Sequence, residues 1–250
     1  MKTLLCALLL MFSTVAQAGA GSTHGTATVI EKGEWELGLY APLRRGFGDD
    51  LELSIHPLTA IRSPNIALKK VWKPEGDWML ASRHSLFYPT PLLKTLSKEG
   101  TGGIIVADAV IPPIVASDNR IIFSRSLSET TMLSLGGRAM LGVGFGQNEW
   151  PSIHMPIAYP RTVAYQDYLA TAFTAQLDGR LFGSVFYRLE FDGWLLPLSE
   201  STWATETKGM AHWRPSERFT MQAGGTLVAG AYPYGNNWHL LPGFDLIWRW

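Results

Sequence analysis

The chain has 250 residues, and 21 Lys+Arg balance 21 Asp+Glu for a formal net charge of zero. Charged residues are only 17%, against 12% aromatics, 10 Trp and 25 Gly. The balance excludes a basic nucleic-acid binder, which needs a clustered positive face, and no run of 18 apolar residues beyond residue 18 leaves room for a transmembrane helix.

The first segment reads as an address. Met1-Lys2-Thr3 is a short positive start, Leu4 to Phe12 is apolar, and Ala16-Gln17-Ala18 has the small-x-small form of a signal-peptidase site. Residues 1–18 are therefore expected to be a cleaved signal peptide, with Ala16 and Ala18 marking the cut, and residues 19–250 a single domain. Cys6, the one cysteine, lies in the apolar run, so the exported part has no disulfide, thiol nucleophile or Cys-ligated metal. An exported domain of this size without disulfides needs a large core or a membrane around it.

From there on the chain alternates with period two, the mark of a strand with two different faces. Gly25 to Ile30 is read as a first strand, turning at Glu31-Lys32-Gly33. Trp35, Leu37 and Leu39 then oppose Glu36, Gly38 and Tyr40; Leu51, Leu53 and Ile55 oppose Glu52, Ser54 and His56. In Trp78 to Tyr88 one phase exposes Arg83 and the other His84. An outward Arg at mid-depth costs about 2–4 kcal/mol, so Arg83 is turned inward, and Arg125 in Ile121 to Leu127 likewise. Leu133 to Phe145, Leu181 to Asp192, Trp203 to Trp213 and Phe219 to Ala231 repeat the alternation.

The chain stops on Pro242-Gly243-Phe244-Asp245-Leu246-Ile247-Trp248-Arg249-Trp250, with Phe244, Leu246, Trp248 and Trp250 on one face. This end resembles the C-terminal signal of bacterial outer-membrane β-barrel proteins, the matching positions being Gly243, Phe244, Leu246, Trp248 and Trp250. The resemblance implies a porin-like chain in the bacterial cell outer membrane, with the lipid around it and the barrel assembly machinery as its partner during biogenesis.

Short connections at 44–50, 73–77, 128–130, 178–179 and 214–217 alternate with longer ones at 59–65, 89–120, 147–167, 194–200 and 232–238. Bacterial barrels pair short periplasmic turns with longer external loops in this way, and have even strand numbers. Eleven strands counted from Glu34, plus Gly25 to Ile30, predict an all-β fold: a single antiparallel transmembrane barrel of about 12 strands. Ten result if the first hairpin is a plug or lies outside the sheet. The apolar residues of loop 89–120 fit a constriction, a cover over the mouth, or a surface loop with neither role.

The inward faces gather Glu36, Glu52, His56, Lys69, Arg83, Arg125, Arg138, Arg188, Glu190, Glu206, Lys208, His212, Asp245 and Arg249. Arg188–Glu190 and Glu206–Lys208 stand as i,i+2 pairs on one face. These charges fit an arginine-lined channel or small-solute transport protein, or else a structural barrel with a closed, salt-bridged lumen. A membrane-embedded hydrolase is a third reading with less behind it: His84 and Ser85 are strand neighbours that point to opposite faces, and no nucleophile motif occurs. The six His form no metal-ligand pair, so neither an enzyme nor a metal or other cofactor is expected.

Overall fold

The alternating segments form strands because each presents an apolar row to one side and small or charged residues to the other. The computed structural model describes residues 23–99, 105–107, 109–147, 150, 153, 155–199 and 201–250; the expected cleavage residues Ala16 and Ala18 lie outside them. The strands are β1 (Trp35–Gly38), β2 (Leu43–Gly46), β3 (Leu51–Ile55), β4 (Asn65–Glu75), β5 (Trp78–Phe87), β6 (Ile114–Ser126), β7 (Thr131–Gly144), β8 (Leu169–Phe182), β9 (Val185–Leu195), β10 (Trp203–Ser216), β11 (Phe219–Tyr232) and β12 (Gly235–Arg249). Each pairs antiparallel with its sequence neighbour, and β1 meets β12 to close a 12-strand barrel. Among the described residues three helices interrupt the connections: α1 (Pro57–Ala60), α2 (Thr90–Leu96) and α3 (Tyr159–Gln166).

The strand number matches the expectation, but the twelve are not the same twelve. Residues 25–30 form no strand; they lie inside the barrel. The missing strand is β2, in a stretch read as a turn because Arg44-Arg45-Gly46 is polar. The long connection expected at 232–238 is a two-residue turn at Pro233–Tyr234, and β6 begins at Ile114, inside the loop expected to run to Arg120.

Connections 47–50, 76–77, 127–130, 183–184 and 217–218 lie at the end where the chain finishes, here the terminus end; 39–42, 56–64, 88–113, 145–168, 196–202 and 233–234 lie at the loop end. The outer face is apolar. Trp35, Trp72, Trp213, Trp248 and Trp250 ring the terminus end, and Phe145, Trp203 and Trp238 stand near the other.

The interior is filled from both ends. From the terminus end the segment 23–31 runs up into the lumen as a plug. The Ala27 N–H donates to Ser124 Oγ (2.7 Å), the Ile30 N–H to Glu52 Oε2 (3.2 Å), and Gln176 Nε2 to the His24 carbonyl (2.9 Å). Gly46 lets it pass: a Cβ there would stand 2.2 Å from the Glu31 carbonyl oxygen. From the loop end α3 folds inward against β7 and β8, burying Tyr159, Val163 and Ala164 with Met140, Ala172, Trp194 and Tyr232. Above it Leu93, Ile105, Ile111, Ile114, Trp150 and Ile153 join the two longest connections into a cap.

Candidate functional site: a row of cations in the lumen

Strand register sets the site. Lys69 on β4 lies opposite Arg83 on β5, Arg83 opposite Arg120 on β6, and Arg120 opposite Arg138 on β7. All four occupy interior positions, since the alternation places their strand neighbours on the outer face. Like charges directly opposite one another destabilise a sheet, and here four follow in succession. One carboxylate stands among them. Asp118 accepts two 2.8 Å bonds from the Arg138 guanidinium and two, of 3.2 and 3.5 Å, from Arg120, while Arg83 is 3.9 Å away. Lys69 donates to the Thr23 and Thr28 carbonyls of the plug (2.8 and 2.5 Å). Glu52, its other cross-strand neighbour, is engaged by Arg44 at 2.7 and 2.9 Å. The side chains of Arg83 and Arg120 stay about a quarter exposed (27% and 26%).

That exposure opens on a chamber of about 310 Å3, floored by Thr23 and His24 of the plug and walled by β2 to β6. Burial holds the His24 imidazole well below its usual pKa, and Arg44, Arg188, Arg83 and Lys69 push the same way, so it is neutral in the seated plug. Beyond Arg120, Glu190 and Asp192 line a smaller space of about 20 Å3.

The residues singled out in the sequence are distributed as follows. Glu52, Lys69, Arg83, Arg138 and His56 line or adjoin the chamber; the His56 N–H donates to Asn65 Oδ1 (2.6 Å) where β3 ends. Arg188 pairs across strands with Asp178 (2.8 Å) rather than with Glu190, and Glu206 takes Arg161 of α3 (2.8 Å) rather than Lys208. Glu190 and Lys208 are register neighbours on the interior of β9 and β10, and His212 is buried on the same face. Arg249 donates to Glu36 (2.8 Å). Asp245 accepts the Tyr40 and Ala41 N–H groups (2.9 Å each) where β1 leaves β12. In the terminal motif, Phe244, Leu246, Trp248 and Trp250 face outward and Gly243 inward.

Arg125 is a correction. It is on the outer face of β6, paired with Asp77 at 3.0 Å, both exposed at the terminus end. The penalty that turned it inward falls to about 0–1 kcal/mol near an interface. Turning β6 by that phase also hides Asp118 and Arg120, which the sequence reading assigns to the loop 89–120. Arg44, Asp178 and Arg161 were missed likewise, as residues of supposed connections. The alternation Ala116, Asp118, Arg120, Ile122, Ser124 against Val115, Ile121 and Phe123 carried the signal for the first two.

Searches against protein-family models and against curated proteins find no match for this chain.

Proposed function

We propose that this is a bacterial outer-membrane barrel that binds small anionic solutes in its lumen and passes them as a gated transport protein, not as a wide open pore. The apolar outer face, the two aromatic belts and the terminal aromatic strand support the membrane location. The row Lys69–Arg83–Arg120–Arg138, with Asp118 among its members and Glu52 at its end held by Arg44, carries the anion reading. Two adjacent guanidiniums with spare donors suit a phosphate or carboxylate group, which they engage in bidentate fashion. Catalysis plays no part in the proposal.

The plug and the inward α3 favour a second reading, a structural barrel with a closed lumen. Titration of the refolded protein with inorganic phosphate, beside single-channel recording in a planar bilayer, separates the two. The transport reading expects saturable phosphate binding that weakens at least tenfold in Arg83→Gln/Arg120→Gln, and current that favours anions under a salt gradient. Neither binding nor current would leave the structural barrel.

A further inference from the structure

The wall of the barrel is unequal. β1, β2 and β3 have 4, 4 and 5 residues, against the roughly 9–11 that cross a bilayer. They stand at the terminus end: the Trp35 N–H donates to the Trp250 carbonyl and the Trp250 N–H to that of Trp35 (2.8 and 3.0 Å). Their shortfall therefore lies at the loop end. β12 has 15 residues, yet β1 pairs only with Ile247–Arg249, and the Leu39 N–H adds one bond to Leu246. The Asp245 carboxylate then takes the next two N–H groups and ends the ladder. From Gly235 to Phe244, β12 has β11 on one side and no strand on the other among the described residues. Pro242 sits in this stretch, as proline does on edge strands.

The chamber reaches the β3–β4 side of this notch. Its lining includes the inward Lys69, Arg83 and Arg120 and also the outward Ile55 and Ile66, so the space continues over the top of the short wall to the outer face. Beside it, α1 and the residue after it expose Leu58 and Ile61 (59% and 82%). A polar, cation-lined end joined to an apolar lip matches a molecule with an anionic head and an acyl tail. The free backbone of β12 adds a second requirement. Sheet edges do not face hydrocarbon unless polar groups or water meet them, and a headgroup with its water supplies what an acyl chain cannot.

We infer that the notch over β1–β3 admits the headgroup of a phosphate-bearing lipid sideways from the outer leaflet, its phosphate among Lys69, Arg83 and Arg120 and its chain over Ile55 and Ile66. The inference rests on the anion-site reading above.

The test uses the full refolded chain in dodecyl maltoside, with two probes of one head chemistry: lysophosphatidic acid, which partitions into the micelle, and glycerol 3-phosphate, which does not. The expected result is at least tenfold tighter binding of the lipid, and loss of both probes in Arg83→Gln/Arg120→Gln. Ile55→Trp/Ile66→Trp, filling the lip, should weaken the lipid at least tenfold and spare glycerol 3-phosphate. Leu58→Glu, on an exposed helix, should act in the same direction if the double Trp variant gives no heat-modifiable barrel. Equal affinities for the two probes, or a lipid affinity indifferent to the lip variants, overturns lateral entry and leaves the anion site standing. Failure of both probes to bind removes the anion site, and the lateral route falls with it.

Discussion

Asp118 is surrounded by three guanidiniums, and its removal has two opposed effects. The buried Asp118–Arg138 pair loses a partner, which costs about 3–5 kcal/mol in buried ion pairs generally. The chamber meanwhile gains a unit of positive charge. Asp118→Asn should therefore lower the urea midpoint of the refolded protein while tightening phosphate binding, and added phosphate should recover part of the lost stability. Weaker phosphate binding in this variant would contradict the role given to the cation row. Asp245 has a different task, and Asp245→Ala leaves the Tyr40 and Ala41 N–H groups without their acceptor, at about 1–3 kcal/mol each if no water replaces it. Its inward direction was legible from parity in the last strand. Its use as a cap on a broken ladder was not, because that depends on β1 ending at Gly38, and sequence alternation continues through Tyr40. Arg125 and Arg120 illustrate the same limit: parity gives two phases, and only depth in the wall decides between them.

Among the elements, the plug is the one most open to solution conditions. His24 is neutral when seated, whereas a released segment titrates near 6.5. The released form thus takes up a proton as pH falls below about 6.5, and seating, complete above that value, weakens progressively on the acid side. Proteolysis within residues 23–31 should accelerate from pH 7 to pH 5, and His24→Gln should flatten that dependence. Gly46→Ala tests the same element by shape, since its Cβ would meet the Glu31 carbonyl; it should expose the plug at every pH. The strands were legible wherever an apolar row faced a polar one over ten or more residues, as in β7 and β10. The plug was misread because Thr26, Thr28, Val29 and Ile30 are as β-prone as any strand. The side chains that hold the plug in the lumen stand 21 to 152 positions away, which local pattern does not register.

For the molecule as a whole, the even strand number and the end-to-end closure were within reach of the sequence, while the filling of the lumen was not. Alternation tells which side chains point inward but not what enters from the ends. Closure depends on the pair Trp35 and Trp250, so deletion of Trp250 should reduce the yield of heat-modifiable barrel in outer membranes; an unchanged yield would detach the terminal residue from assembly. The low wall has one more consequence, for the bilayer itself. At about 3.3 Å per residue, the 4 residues of β1 reach only about half of a roughly 25 Å apolar band, while the 15 of β12 span all of it. In the outer-membrane setting proposed above, lipid on that flank would meet a hydrophobic height that does not match its own thickness. It would respond by thinning, or the barrel by leaning, at fractions of a kcal/mol per Å. The protein would then carry a fixed patch of disordered, shortened bilayer on one side only, and a lipid molecule is most easily drawn from its leaflet where its neighbours are least well packed.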